Sequence, residues 1–341
     1  MSTQLKIFIT GATGYIGGSV LSRLLNHNDA SSFQITALVR SEEKANKLKT
    51  LGINVIVGSY TDPDLNFLTR EAAQSDIVIT IADADLLPPT QAILRGLKIR
   101  YEKSGKAPIL MHTVCLLLDD ARGLTSEGIT YSDMDVEKLN AFPESVLHRN
   151  VDIPIQEADK AGYVKAYLVA PSTVIGRPSG PLVDLGIQNT HSLLFNLVIK
   201  PALGRKKGGY FGKGVNSWVS ITLKENFYII LFDAVRKNPE ITGHGFEGYY
   251  FPESSRFSFE ELARAISESL VEAGVGDSKE PSVFTQEEVD TLYGPVWRLL
   301  ATNVYANGER ARALGWKSTS NKADFLASVK EEVKEYLKES K

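Results

Sequence analysis

The stretch Ile7-Phe8-Ile9-Thr10-Gly11-Ala12-Thr13-Gly14-Tyr15-Ile16-Gly17-Gly18 decides how the rest of the chain is read. Its apolar start, β-branched and aromatic, predicts a buried parallel strand. The strand ends at Gly11. Ile16, Val20, Leu21, Leu24 and Leu25 then fall on one face of a helix. Between them lies a turn with the spacing Gly11-x-x-Gly14-x-x-Gly17, which differs from the G-x-G-x-x-G of the common dinucleotide fingerprint. Glycines let a pyrophosphate approach the backbone, and the first-turn N–H groups and positive end of the helix face that anion. The candidate contacts are Gly11, Thr13, Gly14, Tyr15, Ile16 and Gly17. A purely structural turn is the alternative, but it needs fewer glycines.

The next predicted strand, Phe33 to Val39, ends in Arg40-Ser41, with Lys44 one helical turn on. An acid near this point accepts the ribose hydroxyls of NAD, whereas an arginine accommodates the 2′-phosphate of NADP. Glu42 and Glu43 come only after the arginine, so NADP (NADPH) is favoured, with Arg40 and Lys44 as its candidate readers. A third strand, Asn54 to Val57, is followed by Asp62, which either meets the adenine end of a dinucleotide or caps the next helix. A fourth, Ile77 to Ile81, leads into Ala82-Asp83-Ala84-Asp85, at the strand end where open α/β sheets bind ligands; Ala82 is the cofactor candidate there. Pro88 and Pro89 open a helix to about Lys103, Pro108 to His112 is a fifth strand, and Tyr163 to Val169 a sixth. Strand–helix alternation over ~170 residues predicts an α/β fold of the Rossmann type, a doubly wound parallel sheet. Residues 1–175 form the expected nucleotide-binding domain, with 216–250 returning to its core. Residues 176–215 and 251–341 form a smaller C-terminal substrate-binding lobe. The Gly- and Pro-rich stretch 176–217 is expected to hold few regular elements. Trp218 to Val235 reads as a strand running into a helix, Gly248 to Phe251 as a short strand, and Phe259 to Ala273 and Asn321 to Lys338 as helices.

With 341 residues the chain can bury a sizeable core. A net charge of −3 offers no electrostatic footprint for nucleic acid or anionic membrane, and no apolar run reaches transmembrane length. The single cysteine, Cys115, excludes an intrachain disulfide and any multi-cysteine metal site, and the five histidines show no local metal-ligand spacing, so no metal is expected. A cytoplasmic location is expected.

These residues resemble the extended or atypical short-chain dehydrogenase/reductases, in their NAD(P)-dependent epimerase/dehydratase-like branch. The resemblance rests on Thr10 to Gly17, Leu38-Val39-Arg40, Asp62, Pro171-Ser172-Thr173-Val174-Ile175-Gly176, Gly248 to Phe251 and Ala313-Leu314-Gly315-Trp316. It implies a nicotinamide cofactor with Pro171 and Val174 near the nicotinamide, a small-molecule substrate, and homodimers through helices around 88–104 and 145–161. One departure matters. Members of this family carry a Ser or Thr after the fifth strand and a Tyr-x-x-x-Lys pair on the following helix, the Tyr acting as general acid/base. No tyrosine here has a lysine four residues later, and His148 and Asp152 stand at those places. Thr113 and Cys115 are nearest to the Ser.

His148 has two readings. It is a proton donor tuned by Asp152 at i+4, or it is a partly exposed helix residue paired with Asp152. Cys115 reads as a buried thiol rather than a nucleophile. Tyr131 is a conceivable replacement acid. Arg177 and Ser179 either meet a substrate anion or are solvated. The functional expectation is an NADP(H)-dependent oxidoreductase acting on a small organic substrate by hydride transfer, with an atypical proton donor. The alternatives are a non-catalytic NADP(H)-sensing regulator of the nitrogen-metabolite-repressor type and a non-redox isomerase or lyase.

Overall fold

The computed structural model describes residues 4–115, 119–225 and 227–340. Its centre is a seven-stranded parallel sheet. The first five strands in the chain are β1 (Leu5–Thr10), β2 (Phe33–Val39), β3 (Asn54–Val57), β4 (Ile77–Thr80) and β5 (Ile109–Thr113). They lie in the order β3-β2-β1-β4-β5, followed by Lys165–Val169 and, at the edge, Tyr249–Tyr250. The order reverses between β1 and β4, and ligands of open α/β sheets bind at such a point.

Strand alternation sends Ile7 and Ile9 to one face of the sheet and Phe8 to the other. On the first face, Val20, Leu21 and Leu24 of helix α1 (Tyr15–Leu25) pack with Leu231 and Phe232 of the helix Phe227–Lys237. On the second, Ile93 and Leu97 of helix α4 (Leu87–Ser104) pack with Val151 and Ile155 of the helix Arg149–Lys160. Two further helices, α2 (Glu42–Lys49) and α3 (Asn66–Ala72), complete the layers. Each fully buried Leu, Ile or Phe stabilises the sandwich by about 1.5–3 kcal/mol, and that burial sets the register of the sheet.

A separate apolar cluster lies between the helices Leu193–Arg205, Phe259–Glu272 and Lys322–Glu339, where Phe257 and Phe325 stack at 4.0 Å. Ser217–Thr222 pairs in parallel with Thr173–Ile175 and antiparallel with Ser255–Ser258. The helix Leu193–Arg205 overturns the expectation of few regular elements in 176–217. Leu194, Phe195, Val198, Ile199 and Ala202 bury on one side of it despite Pro201 in its interior. Burial here outweighs the lost backbone bond, and the glycines of this stretch lie mostly outside the helix.

Among the described residues, no helix is long and apolar enough to cross a membrane.

Candidate active site

The glycine turn links β1 to α1, and each glycine has its own reason to be there. Gly11 adopts φ +70°, and a Cβ on it would lie 2.4 Å from the carbonyl oxygen of Ile81. A Cβ on Gly17 would lie 2.2 Å from the Gly11 oxygen, so helix and turn meet backbone against backbone. Gly14 differs: its Cβ would meet only the Gly11 oxygen, at 3.1 Å. Gly14 is the N-cap of α1, no side chain caps that helix, and its first turn holds no acid. The N–H groups there are free for an anion, and the space over Gly14 is what a pyrophosphate needs. These residues fit a dinucleotide.

The rim of the turn comes from the segment 176–189. The Asn189 N–H donates to the Thr13 carbonyl at 2.9 Å, and Gln188 Nε2 donates to the Tyr15 carbonyl at 3.1 Å. The Tyr15 hydroxyl donates to the carbonyl of Gly176. Ile16 lines an apolar cavity with Pro171, Val174 and Tyr228. Arg177 reaches the helix Lys322–Glu339, with Nη1 3.7 Å from the buried carboxylate of Glu332, which also binds His191 Nδ1 at 2.7 Å. Ser179 follows Arg177 into the loop before Pro181–Asp184.

At the end of β2, Arg40 is exposed and, among the described residues, joins no ion pair. Ser41 caps α2 by accepting the Lys44 N–H at 3.2 Å, and Glu43 pairs with Lys47 at 3.0 Å. The guanidinium at the ribose end is thus not neutralised by either following acid. Asp62 does not cap a helix. Its carboxylate accepts the Ser59 N–H at 2.7 Å and closes the turn after β3, while Leu65 stands at the start of α3. Ala82 is half-buried in the loop after β4, beside the turn glycine Gly11.

The ends of β4 and β5 carry the remaining candidates. Thr113 Oγ1 and the Tyr228 hydroxyl lie 2.8 Å apart. His112 is buried with Nδ1 2.6 Å from Thr80 Oγ1, and burial, aided by His148, lowers its pKa to about 3. His148 is 7% exposed, not partly exposed as expected, and stands at the N-cap of Arg149–Lys160 with φ +69°. It does not pair with Asp152. Its Nδ1 lies 2.6 Å from an Asp85 carboxylate oxygen. Asp152 instead accepts the Tyr249 hydroxyl at 2.7 Å, and that hydroxyl also takes a bond from Arg149 Nη1 at 2.9 Å. Burial lifts the Asp152 carboxyl to about 7 against the opposing effects of Tyr249 and Arg149. The reason is steric: the αL conformation of His148 swings its ring out of line with the helix that carries Asp152.

Cys115 is exposed rather than buried. Desolvation at its sulfur, aided by the carboxylates of Asp85 and Asp152, pushes its thiol up to about 11, far from the thiolate a nucleophile needs. Tyr131 is buried on the strand Thr130–Ser132, with its hydroxyl 3.4 Å from Asp119 and Lys138 over its ring. Its contacts are with Asp119, Phe142 and Lys138, not with Thr113 or His148. The structure therefore brings Thr113 and His148 to the ends of β5 and β4 and ties Tyr131 elsewhere. Sequence reasoning missed Tyr228 and the pairing of Asp85. Asp85 was within reach, since it lies in the ligand-side segment after the fourth strand, but nothing in the sequence marks Tyr228.

One further group, His27, Asp29 and Asp233, has ligand atoms within 4.8 Å of one another. Arg236 lies 3.1 Å from Asp29 and Lys237 3.1 Å from Asp233, so the carboxylates are already neutralised and the group reads as an ion-pair network.

A glycine turn where the strand order of a parallel sheet reverses is an architecture shared with solved sugar-nucleotide epimerases and dehydratases. The UDP-glucuronic acid 4-epimerase of Bacillus cereus, bound to UDP-glucuronic acid and NAD, matches with TM-score 0.62 at 16% identity over 97% of this chain and 100% of its own. The dTDP-glucose 4,6-dehydratase DesIV of Streptomyces venezuelae, with NAD and TYD bound, matches with TM-score 0.63 at 14% identity over 97% of each chain. In sequence, residues 3–95 match the NmrA-like family. "Oxidase ucsJ" of an Acremonium species is 28% identical over 335 residues, covering 92% of both chains. The resemblance to the atypical short-chain dehydrogenase/reductases holds for the fold.

Proposed function

We propose that the protein is an NADP(H)-dependent oxidoreductase that reduces or oxidises a small organic substrate by hydride transfer. The observation that carries this reading is the open backbone cradle at Gly14, at the point where the strand order of the parallel sheet reverses. The similarity to "Oxidase ucsJ" along nearly the whole chain supports a redox enzyme.

When bound, the nucleotide supplies or accepts a hydride at its nicotinamide ring. Gly11, Thr13, Gly14, Tyr15, Ile16 and Gly17 hold the pyrophosphate and its riboses. Arg40, with Lys44, reads the 2′-phosphate, Asp62 orders the loop at the adenine end, and Ala82, Pro171 and Val174 border the nicotinamide. Thr113, held by Tyr228, offers a hydroxyl to the substrate oxygen. Orientation at this distance supplies much of the rate.

The test uses NADPH deuterated at the nicotinamide C4, incubated with the protein and fractions of a source-cell extract and followed by mass spectrometry. Deuterium in a product, with stoichiometric NADP⁺, is the expected result. A product formed without net cofactor oxidation makes it an isomerase or lyase. A second reading, an NADP(H)-sensing regulator, is favoured by the NmrA-like match over 3–95 together with the missing Tyr-x-x-x-Lys pair. It predicts nucleotide returned unchanged from every fraction.

Arg40→Asp is expected to weaken NADPH at least about tenfold while leaving NADH within about twofold, because one charge-assisted contact is worth about 1.5–3 kcal/mol. Fluorescence titration with both nucleotides checks this, and an unchanged ratio removes Arg40 from the 2′-phosphate site.

A further inference from the structure

The group that moves the proton is left open by the reading above, and the geometry at the ends of β4 and β5 bears on it. His148 Nδ1 lies 2.6 Å from Asp85 Oδ1, the imidazole is 7% exposed, and the Asp85 side chain is 53% exposed. Neither His148 nitrogen meets hydrogen-bond geometry with a protein partner. A buried polar atom left in this way costs about 1–3 kcal/mol unless another partner meets it. The backbone of His148 adds its own cost, since φ +69° is a conformation that glycine or asparagine takes more readily. Such strain persists where the surrounding structure imposes it, and it gathers at functional sites. Two independent features, a buried imidazole whose Nε2 has no hydrogen-bond partner among the described residues and a strained backbone, thus coincide on one residue. That residue stands where relatives of this fold keep the general acid.

We propose that Asp85 and His148 form a carboxylate–imidazole dyad that exchanges the proton with the substrate oxygen, replacing the tyrosine–lysine pair. This rests on the oxidoreductase reading. In the direction of reduction, the hydride carries its electron pair to the carbonyl carbon, and the carbonyl π pair moves onto oxygen. The oxygen forms its O–H bond as the Nε2–H bond of His148 breaks. The carbonyl is reduced to an alcohol and the nicotinamide is oxidised. The imidazole, neutral after the step, regains a proton from solvent through the exposed Asp85 carboxylate. Asp85 is a positioning residue: it lies against Nδ1 and fixes the ring. The other groups near this ring are His112 from β5, Cys115 beyond it, Arg149 and Asp152 on the adjoining helix, and Tyr249 from the edge strand. Asp152 is committed to Tyr249, and His112 is neutral and tied to Thr80, so Asp85 is the carboxylate in contact with the ring.

The first measurement needs no substrate. Side-chain histidine ¹⁵N NMR of the full chain is recorded at one pH for the wild type and Asp85→Asn, with His148→Gln assigning the signal. The His148 ring nitrogens are expected to shift in Asp85→Asn, because the carboxylate against Nδ1 sets the tautomer of the ring. Ring signals that do not move overturn the dyad.

The second uses the substrate found by deuterium transfer. His148→Gln is expected to lower kcat about 10²-fold or more while NADPH binds as in the wild type. His148→Asn, which tolerates positive φ, is expected to do the same and separates chemistry from misfolding. Asp85→Asn is expected to lower kcat about tenfold while leaving KM for NADPH unchanged, since it positions the ring and does not touch the nucleotide. If Tyr228→Phe abolishes turnover and His148→Gln does not, the proton comes from the Thr113–Tyr228 pair and the proposal is overturned. If the wild type transfers no deuterium at all, the oxidoreductase reading fails and takes the donor role with it, while the NMR result still reports the ion pair.

Discussion

Gly14→Val is expected to abolish NADPH binding while the protein keeps its fold, and Gly17→Val is expected to cost the fold itself. The two glycines are three residues apart in one turn, but their surroundings differ. A Cβ on Gly17 would sit 2.2 Å from the Gly11 carbonyl oxygen, a backbone atom that cannot move without displacing β1 from α1. Relief of such a clash costs several kcal/mol, a large share of the roughly 5–15 kcal/mol that holds a domain together. At Gly14 a Cβ has one neighbour, 3.1 Å away, and otherwise projects into the space left for a phosphate. Circular dichroism melts and fluorescence titration with NADPH separate the outcomes. Gly14→Val should melt within a few degrees of the wild type and show no saturable binding. Normal NADPH affinity in that variant would remove the nucleotide from this turn.

Asp152→Asn is expected to change how stability depends on pH, and the sign is specific. The carboxyl of Asp152 is lifted to about 7, so between its ordinary value of 3.8 and about 7 the folded chain holds a proton that the unfolded chain has lost. Stability therefore falls as pH rises through that window. His112 works in the opposite sense. Its pKa is lowered from 6.5 to about 3, so the unfolded chain binds the extra proton between these values and stability rises with pH across them. The two slopes oppose each other from about pH 4 to 6.5, and each pH unit of either is worth about 1.4 kcal/mol at most. Asparagine can still accept the Tyr249 hydroxyl but cannot ionise. Urea unfolding of Asp152→Asn should thus gain stability over the wild type at pH 8, by a few kcal/mol at most. It should also show a rise from pH 4 to 6.5 that the wild type masks. Parallel profiles for the two proteins would mean that Asp152 titrates as an ordinary carboxylate.

The parts of this molecule written in local patterns were legible before any coordinates. β4 begins where its apolar run does, at Ile77, because a strand buried on both faces has no other way to be encoded. The glycine turn was legible because a missing Cβ is itself a sequence signal. What the sequence concealed depends on contacts between distant segments. His148 and Asp152 are four residues apart, a spacing that places side chains together on a helix, but the helix begins only at Arg149 and His148 sits before it in the αL region. One backbone dihedral redirected the imidazole to Asp85, 63 positions earlier in the chain, and left Asp152 to Tyr249, 97 residues away. Tyr228 is tied to Thr113 across 115 residues, with no local pattern to announce it. The helix Leu193–Arg205 was obscured by its own Pro201 and by the glycines around it.

The backbone-on-backbone seam between Gly11 and Gly17 has a bearing on how such a protein can be retuned. No side chain takes part in that seam, so mutation has nothing there to trim, lengthen or recharge. The pyrophosphate end is therefore the conservative half of the site. Arg40, by contrast, stands exposed on a strand end with no ion pair among the described residues, and replacing it disturbs no packing. On the proposed reading, descendants of this sequence could exchange one nicotinamide nucleotide for the other by drift at a single surface codon, whereas the turn itself is held by carbonyl groups that selection has no direct handle on.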